Sequence, residues 1–243
     1  MSLPLASGTI PPLAPGDRPV NWAVTGRFGG VSTGRFAELN LADHVGDDPA
    51  SVQANRELIR SFAGTAGAAF VRAVHGADVE WVDSSYGIPE ADALLTESTN
   101  LALVALGADC ALIGIAAPGV IGVVHCGWRG LVAGVIPATI TAVRARTSGP
   151  ITAIIGPVIC GACYHVGSEC AAAVRGVCDA AAPDDSHVDL RAGVVQILLG
   201  EGVEVQDRSM CTRESQNLFS HRRDDPTGRH GLLLWWGSTR MGS

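Results

Sequence analysis

A chain of 243 residues with 47% hydrophobic and 17% charged residues has the composition of a compact globular protein and not of a disordered one. Its net charge of -7, with all 17 basic residues arginine and no basic run, argues against electrostatic nucleic-acid binding. No window approaches the ~20 apolar residues of a membrane span, and the start, MSLPLASGTIPPLAPGDRP, lacks the parts of a signal peptide, so a cytoplasmic protein without membrane contact is expected.

Residues 1–19 hold five of the 13 prolines and read as a loose arm; residues 20–243 read as a single catalytic domain. VNWAV (20–24) is a short strand. Residues 27–49 are glycine-rich and aperiodic, and a loop of that length is either functional or disordered. Asp48 and Pro49 form an N-cap and first helical position, opening a helix over 49–63 with Val52, Leu58, Ile59 and Phe62 as its apolar residues. Strands follow at 69–74, 78–82, 101–106, 111–116 and 120–125. Residues 128–146 read as a helix that Pro137 must kink or split. A strand at 151–156, helices at 168–181 and 188–199, and strands at 203–207 and 232–236 complete the chain. The strands are too closely spaced for regular βαβ repeats. The fold expected is α/β (α+β), with mixed, partly antiparallel sheets and helices outside.

Three apolar runs end in chemistry-bearing residues: His75 after 69–74, Cys110 after 101–106 and the Gly107-Ala108-Asp109 turn, and His125 after 120–124. Strand ends are where sheet proteins present reactive groups. Two imidazoles and a thiolate suit zinc, and three protein ligands leave a fourth position for water or substrate. The plainer alternative is two half-buried histidines and a small core cysteine, because separation in sequence does not establish contact. The seven cysteines read as thiols or ligands, not disulfides.

The stretches FGGVSTGRFAELNLADHVGDDPASVQANR (28–56), VHGADV (74–79), ADALLT (91–96), ADC (108–110), HCGWRG (125–130), IGPVICGACYHVG (155–167) and CTRESQNLFSHRRDDPTGRHG (211–231) together resemble the YfiH family, also called the multicopper polyphenol oxidase or laccase-domain family. The resemblance implies that His75, Cys110 and His125 bind zinc. It also implies an enzyme of purine nucleosides and phosphate, active on adenosine, inosine, guanosine and methylthioadenosine, with adenosine deamination besides. Cys126, His165 and the ALGADCA surroundings of Cys110 depart from the family pattern, and the first two add metal-capable groups.

Other residues carry further expectations. Arg129, at a helix start, is suited to hold phosphate, or else it stacks on Trp128 at the surface. Asn40 and Arg56 lie in the shared loop-helix segment and are candidates to position ribose or phosphate; the alternatives are a turn and an ordinary ion pair. Asp109 could orient a histidine ligand or carry a proton, or simply hold a turn. Cys160 and Cys163 form a C-x-x-C without a second such pair to complete a four-cysteine site, so two loop thiols are the preferred reading. Ser220, Arg222 and Arg223 read as a solvated, self-neutralising loop, with contact to the substrate pocket as the alternative that the resemblance implies.

Three rivals stand beside the zinc nucleoside enzyme. A copper-dependent phenol oxidase would need an axial ligand, often Met, yet Met1, Met210 and Met241 lie far in sequence from the three stretches. A hydrolase could use Cys110 as nucleophile with a histidine base. A peptidoglycan-editing role would involve no nucleoside turnover. Preferred purine and oligomeric state are not legible.

Overall fold

The computed structural model describes residues 4–87 and 89–238. In chain order the elements are β1 (Ala6–Ile10), β2 (Val20–Val24), α1 (Pro49–Ala63), β3 (Gly67–Phe70), β4 (Val79–Trp81), β5 (Ala93–Thr96), β6 (Leu101–Gly107), β7 (Ala111–Ala117) and β8 (Val120–Cys126). The second half adds α2 (Trp128–Ala133), α3 (Val135–Arg144), β9 (Thr152–Ile155), α4 (Ser168–Arg175), α5 (Leu190–Gly200), β10 (Glu204–Asp207), α6 (His221–Asp224) and β11 (His230–Trp236).

Two mixed sheets form, ordered β1-β2-β11-β6-β3 and β10-β9-β7-β8-β5-β4. Only β3–β6, β9–β10 and β4–β5 run parallel; the other neighbours are antiparallel. The period of two along a strand sorts side chains between layers. Leu103 of β6, Leu112 of β7, Ile121 and Val123 of β8, and Leu232 and Leu234 of β11 meet between the sheets. Val104, Leu106 and Leu233 face the other way and pack with Ile59 of α1. Ile113, Ile115 and Val124 face α2, α3 and α5 through Leu131, Ile140 and Val194. The molecule is therefore layered as α1, sheet, sheet, helices, the mixed architecture expected.

Two local expectations need correction, and one strand is unforeseen. The arm expected to be loose carries β1, registered on β2 from Ala6↔Val24 to Ile10↔Val20, because the outer edge of β2 offers backbone groups that need partners. The helix over 128–146 breaks at Gly134, whose φ of 84° ends α2; Pro137 instead lies in the first turn of α3, where a missing N–H leaves no helical bond unmade. Strand β5 escapes the periodicity because its four residues are buried on both faces. Helix α1 spans the predicted 49–63, with the Asp48 carboxylate accepting the Ala50 and Ser51 amides.

Candidate metal centre

His75 lies in the loop after β3, Cys110 in the turn between β6 and β7, and His125 next to the end of β8. Their ligand atoms lie within 4.8 Å of one another. The two imidazole rings are 4.8 Å apart, edge to face.

One buried carboxylate organises this meeting. Asp92, just before β5, accepts the His75 N–H at 2.9 Å and the Gly76 N–H at 2.7 Å. These bonds hold His75 at a φ of 62°, a left-handed conformation unfavourable for a residue with a Cβ. Asp92 Oδ1 also lies 3.3 Å from His125 Nδ1, and its carbonyl accepts the His125 N–H at 2.8 Å. With Nδ1 facing a carboxylate, Nε2 is the nitrogen free to bind a metal. Burial pushes the Asp92 carboxyl up, but the His125 imidazole and the two amides outweigh it and hold it below its ordinary value.

The same cluster favours the thiolate. Burial raises Cys110, yet the charge and hydrogen bonds of His125 and His75 bring it down to about 6. His125 loses by burial and gains more from Cys110 and Asp92, ending at about 9. Gly127 completes the cradle: a Cβ there would sit 3.0 Å from Cys110 Sγ and 3.4 Å from His75 Cδ2. Two histidines and an ionised thiol, oriented from behind by an acid and closed on by a glycine, are a donor set that fits a zinc-sized cation, which takes the place of the proton on His125.

The three residues border a cavity of about 290 Å³ that His44, His221 and Arg229 also line. The Arg229 guanidinium donates to the Thr227 carbonyl at 2.8 Å and the Gly228 carbonyl at 3.1 Å, so it is held in place as the cavity's cation. Burial and then the Arg229 charge lower His44 below its ordinary value. His221 Nδ1 contacts Asp225 Oδ1 at 2.9 Å.

The other sequence-derived candidates have different places. Asn40 is fully buried; its amide oxygen accepts the Ala42 and Arg229 N–H groups and its Nδ2 donates to Asp47, so it sets the backbone from which Arg229 projects. Arg56 donates to the Leu41 carbonyl, pairs with Asp43 at 3.2 Å and covers Phe70, beside a different cavity. Arg129 is exposed and lies 4.5 Å from the centre of the Trp128 ring. Asp109, at a φ of 102°, accepts the Thr212 hydroxyl at 2.5 Å and the Arg222 N–H at 2.6 Å, so it holds the turn that carries Cys110 and touches neither histidine. Ser220 caps α6, Arg222 covers Tyr164, and Arg223 ties the carbonyls of 212, 213, 215 and 218 together.

Cys126 is explained by strand parity: it is next to His125, so it points to the opposite face, buried among the helices, and burial pushes its thiol up. His165 pairs with His187, ring centres 5.2 Å apart, and is not among the ligand atoms that gather at His75. Asp92, Arg229, His44 and His221 do not stand out in the sequence, although each lies inside a motif that carries the resemblance. An acid directly before a short, mostly apolar strand is the signal that could have found Asp92. No helix among the described residues is long and apolar enough to cross a membrane.

Comparison with known proteins sets this site in context. A family model described as multi-copper polyphenol oxidoreductase laccase matches residues 21–237. A purine nucleoside phosphorylase of Streptomyces coelicolor is 42% identical over 229 residues, covering 88% of this chain and 95% of its own. One from Deinococcus radiodurans is 36% identical over 224 residues, covering 87% of each. Among solved structures, a Neisseria meningitidis protein of a family of unknown function, DUF152, superposes with a TM-score of 0.84 at 32% identity, over 96% of this chain and 99% of that one. The Bacillus licheniformis hypothetical protein YfiH gives 0.84 at 27% identity, over 90% and 93%.

Proposed function

The chain belongs to the multi-copper polyphenol oxidoreductase laccase family, and from that membership we propose a zinc-dependent purine nucleoside phosphorylase. Its substrates in this reading are adenosine, inosine, guanosine and methylthioadenosine, with phosphate as co-substrate. The relatives named purine nucleoside phosphorylase support the reaction class. The observation that carries the reading is the convergence of His75, Cys110 and His125 within 4.8 Å at a cavity whose cation is Arg229.

His75, Cys110 and His125 would hold the zinc, which when bound supplies Lewis-acid polarisation of a substrate oxygen. Arg229 binds phosphate, its guanidinium already oriented by two carbonyls, so little ordering is left to the moment of binding. A phosphate oxygen bonds to C1′ of the ribose, the bond from C1′ to the base nitrogen breaks, and its electron pair leaves with the purine. His221, whose Nδ1 is engaged by Asp225, donates the proton that the departing base takes up. Asn40 and Asp109 act as positioning residues, the first on Arg229 and the second on the Cys110 turn. In adenosine deamination, which we assign to the same cavity, water replaces the C6 amino group and ammonia leaves.

Incubating the zinc-loaded protein with inosine and phosphate should release hypoxanthine and ribose 1-phosphate in equal amounts. No release of either would sink the proposal. The family description favours one rival, a copper phenol oxidase. Stoichiometric copper with a visible absorption band, and oxidation of phenols in air, would put that rival in its place.

A further inference from the structure

A second group of ligand-bearing side chains converges outside the cavity. Cys160 and Cys163 lie in the segment after β9, and Cys211 and Glu214 in the segment after β10. Their three sulfurs and a Glu214 carboxylate oxygen lie within 4.8 Å of one another. The C-x-x-C that lacked a partner in the sequence therefore has one, a C-x-x-E at 211–214. What joins them is a short parallel pairing: the Val158 N–H donates to the Met210 carbonyl at 3.1 Å and the Thr212 N–H to the Val158 carbonyl at 3.3 Å.

The local backbone is wound around the sulfurs. The Cys163 and Tyr164 N–H groups turn back on the Cys160 carbonyl at 2.9 Å and 3.0 Å, curling the C-x-x-C so that its two thiols share a side. The Cys160 N–H donates to Cys211 Sγ at 3.4 Å. Cys163 Sγ lies 3.7 Å from Glu214 Oε1. Burial opposes ionisation of the Cys211 thiol, but the hydrogen bonding outweighs it and holds the thiol below its ordinary value, toward the thiolate that binds metal. The three cysteines are half-buried and Glu214 is exposed, so an ion can reach them from solvent.

We propose that Cys160, Cys163, Cys211 and Glu214 form a second metal site, which takes zinc with all four positions filled by protein. Three sulfurs select a soft or borderline cation over magnesium or calcium, and a closed set of four suits a structural ion. Zinc–sulfur bonds of about 2.3 Å place tetrahedral ligands about 3.8 Å apart, so the cluster need only draw in by about 1 Å at its widest. Binding releases the protons of the three thiols. The ion staples the 157–164 segment to the 211–220 segment. Thr212, next to Cys211, then carries the restraint to Asp109 and the Cys110 turn through its hydroxyl.

The test uses the full chain under reducing conditions with zinc chloride alone. The wild type should retain two zinc ions per chain. A His75→Ala/Cys110→Ser variant should retain one, and its cobalt form should have the intense charge-transfer and tetrahedral bands of several thiolates. Adding Cys160→Ser and Cys211→Ser should abolish that binding. Glu214→Gln, at an exposed position, should leave the fold intact by circular dichroism and weaken zinc by about tenfold or more in a chelator competition. The proposal is overturned if the His75→Ala/Cys110→Ser protein folds and binds no zinc. A persistent disulfide between two of the three cysteines in the zinc-treated, reduced protein would also overturn it. Should the His75→Ala/Cys110→Ser protein fail to fold, the zinc content of the wild type and of Cys163→Ser decides instead. A single zinc in the wild type, retained in Cys163→Ser, would equally overturn the proposal.

Discussion

The Asp92 carboxylate is fully buried and serves three donors at once: the His75 and Gly76 amides and the His125 ring. Asp92→Asn keeps the shape but turns one acceptor into an NH2 facing an N–H. We expect a loss of about 1–3 kcal/mol in urea unfolding, the range for a buried group left unsatisfied. Zinc affinity of the His75 site should fall about 10–100-fold, since His125 loses the group that fixes its tautomer. An unchanged zinc titration would refute the orienting role. The three candidate ligands are legible in the sequence because each follows an apolar run. Asp92 leaves only the mark of an acid directly before a buried strand, and Arg229 leaves none, because their placement is a property of the assembled sheets. His230 is the other demanding residue. It is fully buried, neither ring nitrogen has a partner among the described residues, and burial, then the Arg229 charge, pull it down to about 3. The folded protein keeps it neutral while the unfolded chain protonates it below ~6.5. Its contribution is therefore fully present above ~6.5 and declines as pH falls toward 3, by up to about 1.4 kcal/mol per pH unit. His230→Leu should flatten that acid limb: its urea midpoint should drop less than that of the wild type between pH 7 and pH 5.

Helix α1 and the loop before it form one unit whose two halves differ in how they are encoded. The helix is written in its cap, and the structure agrees with it; of the apolar residues read from the periodicity, Val52 and Ile59 are buried, Leu58 is half-buried and Phe62 is exposed, while Asn55 and Ala63 complete the inner face. Residues 27–49 have no periodicity, and sequence alone leaves them between function and disorder. The structure orders them through polar side chains, Asn55 foremost. Asn55 accepts the Val31 N–H at 2.9 Å and donates to Ser32 Oγ at 2.9 Å, the Glu38 carbonyl at 3.1 Å and the Asn40 carbonyl at 2.9 Å. A glycine at position 30 makes room, since a Cβ there would lie 2.4 Å from Asn55 Oδ1. Such a side-chain hub is invisible to any pattern of apolar spacing, because its partners are mostly backbone atoms. Asn55→Ala strands several of those groups and should cost about 1–3 kcal/mol. The loss should be local first: limited trypsin digestion should cut at Arg27 or Arg35 well before the rest of the chain, where the wild type resists. Because Asn40 in turn holds the Arg229 backbone, the same variant should raise the KM for phosphate if Arg229 binds it.

At the scale of the molecule, the class of fold is legible in the sequence and its wiring is not. Closely spaced apolar strands exclude regular βαβ repeats, and wholly apolar runs such as β6, β7 and residues 120–124 of β8 require cover on both faces. Nothing local, however, tells the last strand, β11, to insert between β2 and β6, since that choice depends on how far-separated side chains interlock. One interlock between the sheets can be tested directly. Gly114 of β7 faces Leu234 of β11, and a Cβ at 114 would come within 2.3 Å of Leu234 Cδ1. Gly114→Ala must displace that side chain and should cost about 1–3 kcal/mol. Leu234→Ala opens a cavity in the layer between the sheets and should cost about 2–5 kcal/mol. In the double variant the added methyl has only the small side chain to meet and occupies part of the space vacated. The combined cost should then fall short of the sum by about 0.5–3 kcal/mol, the coupling typical of residues in contact. Urea unfolding of the four proteins of the cycle measures it. Strict additivity would mean that the two sheets do not meet at this pair, and the packing of β11 over β7 would have to be redrawn.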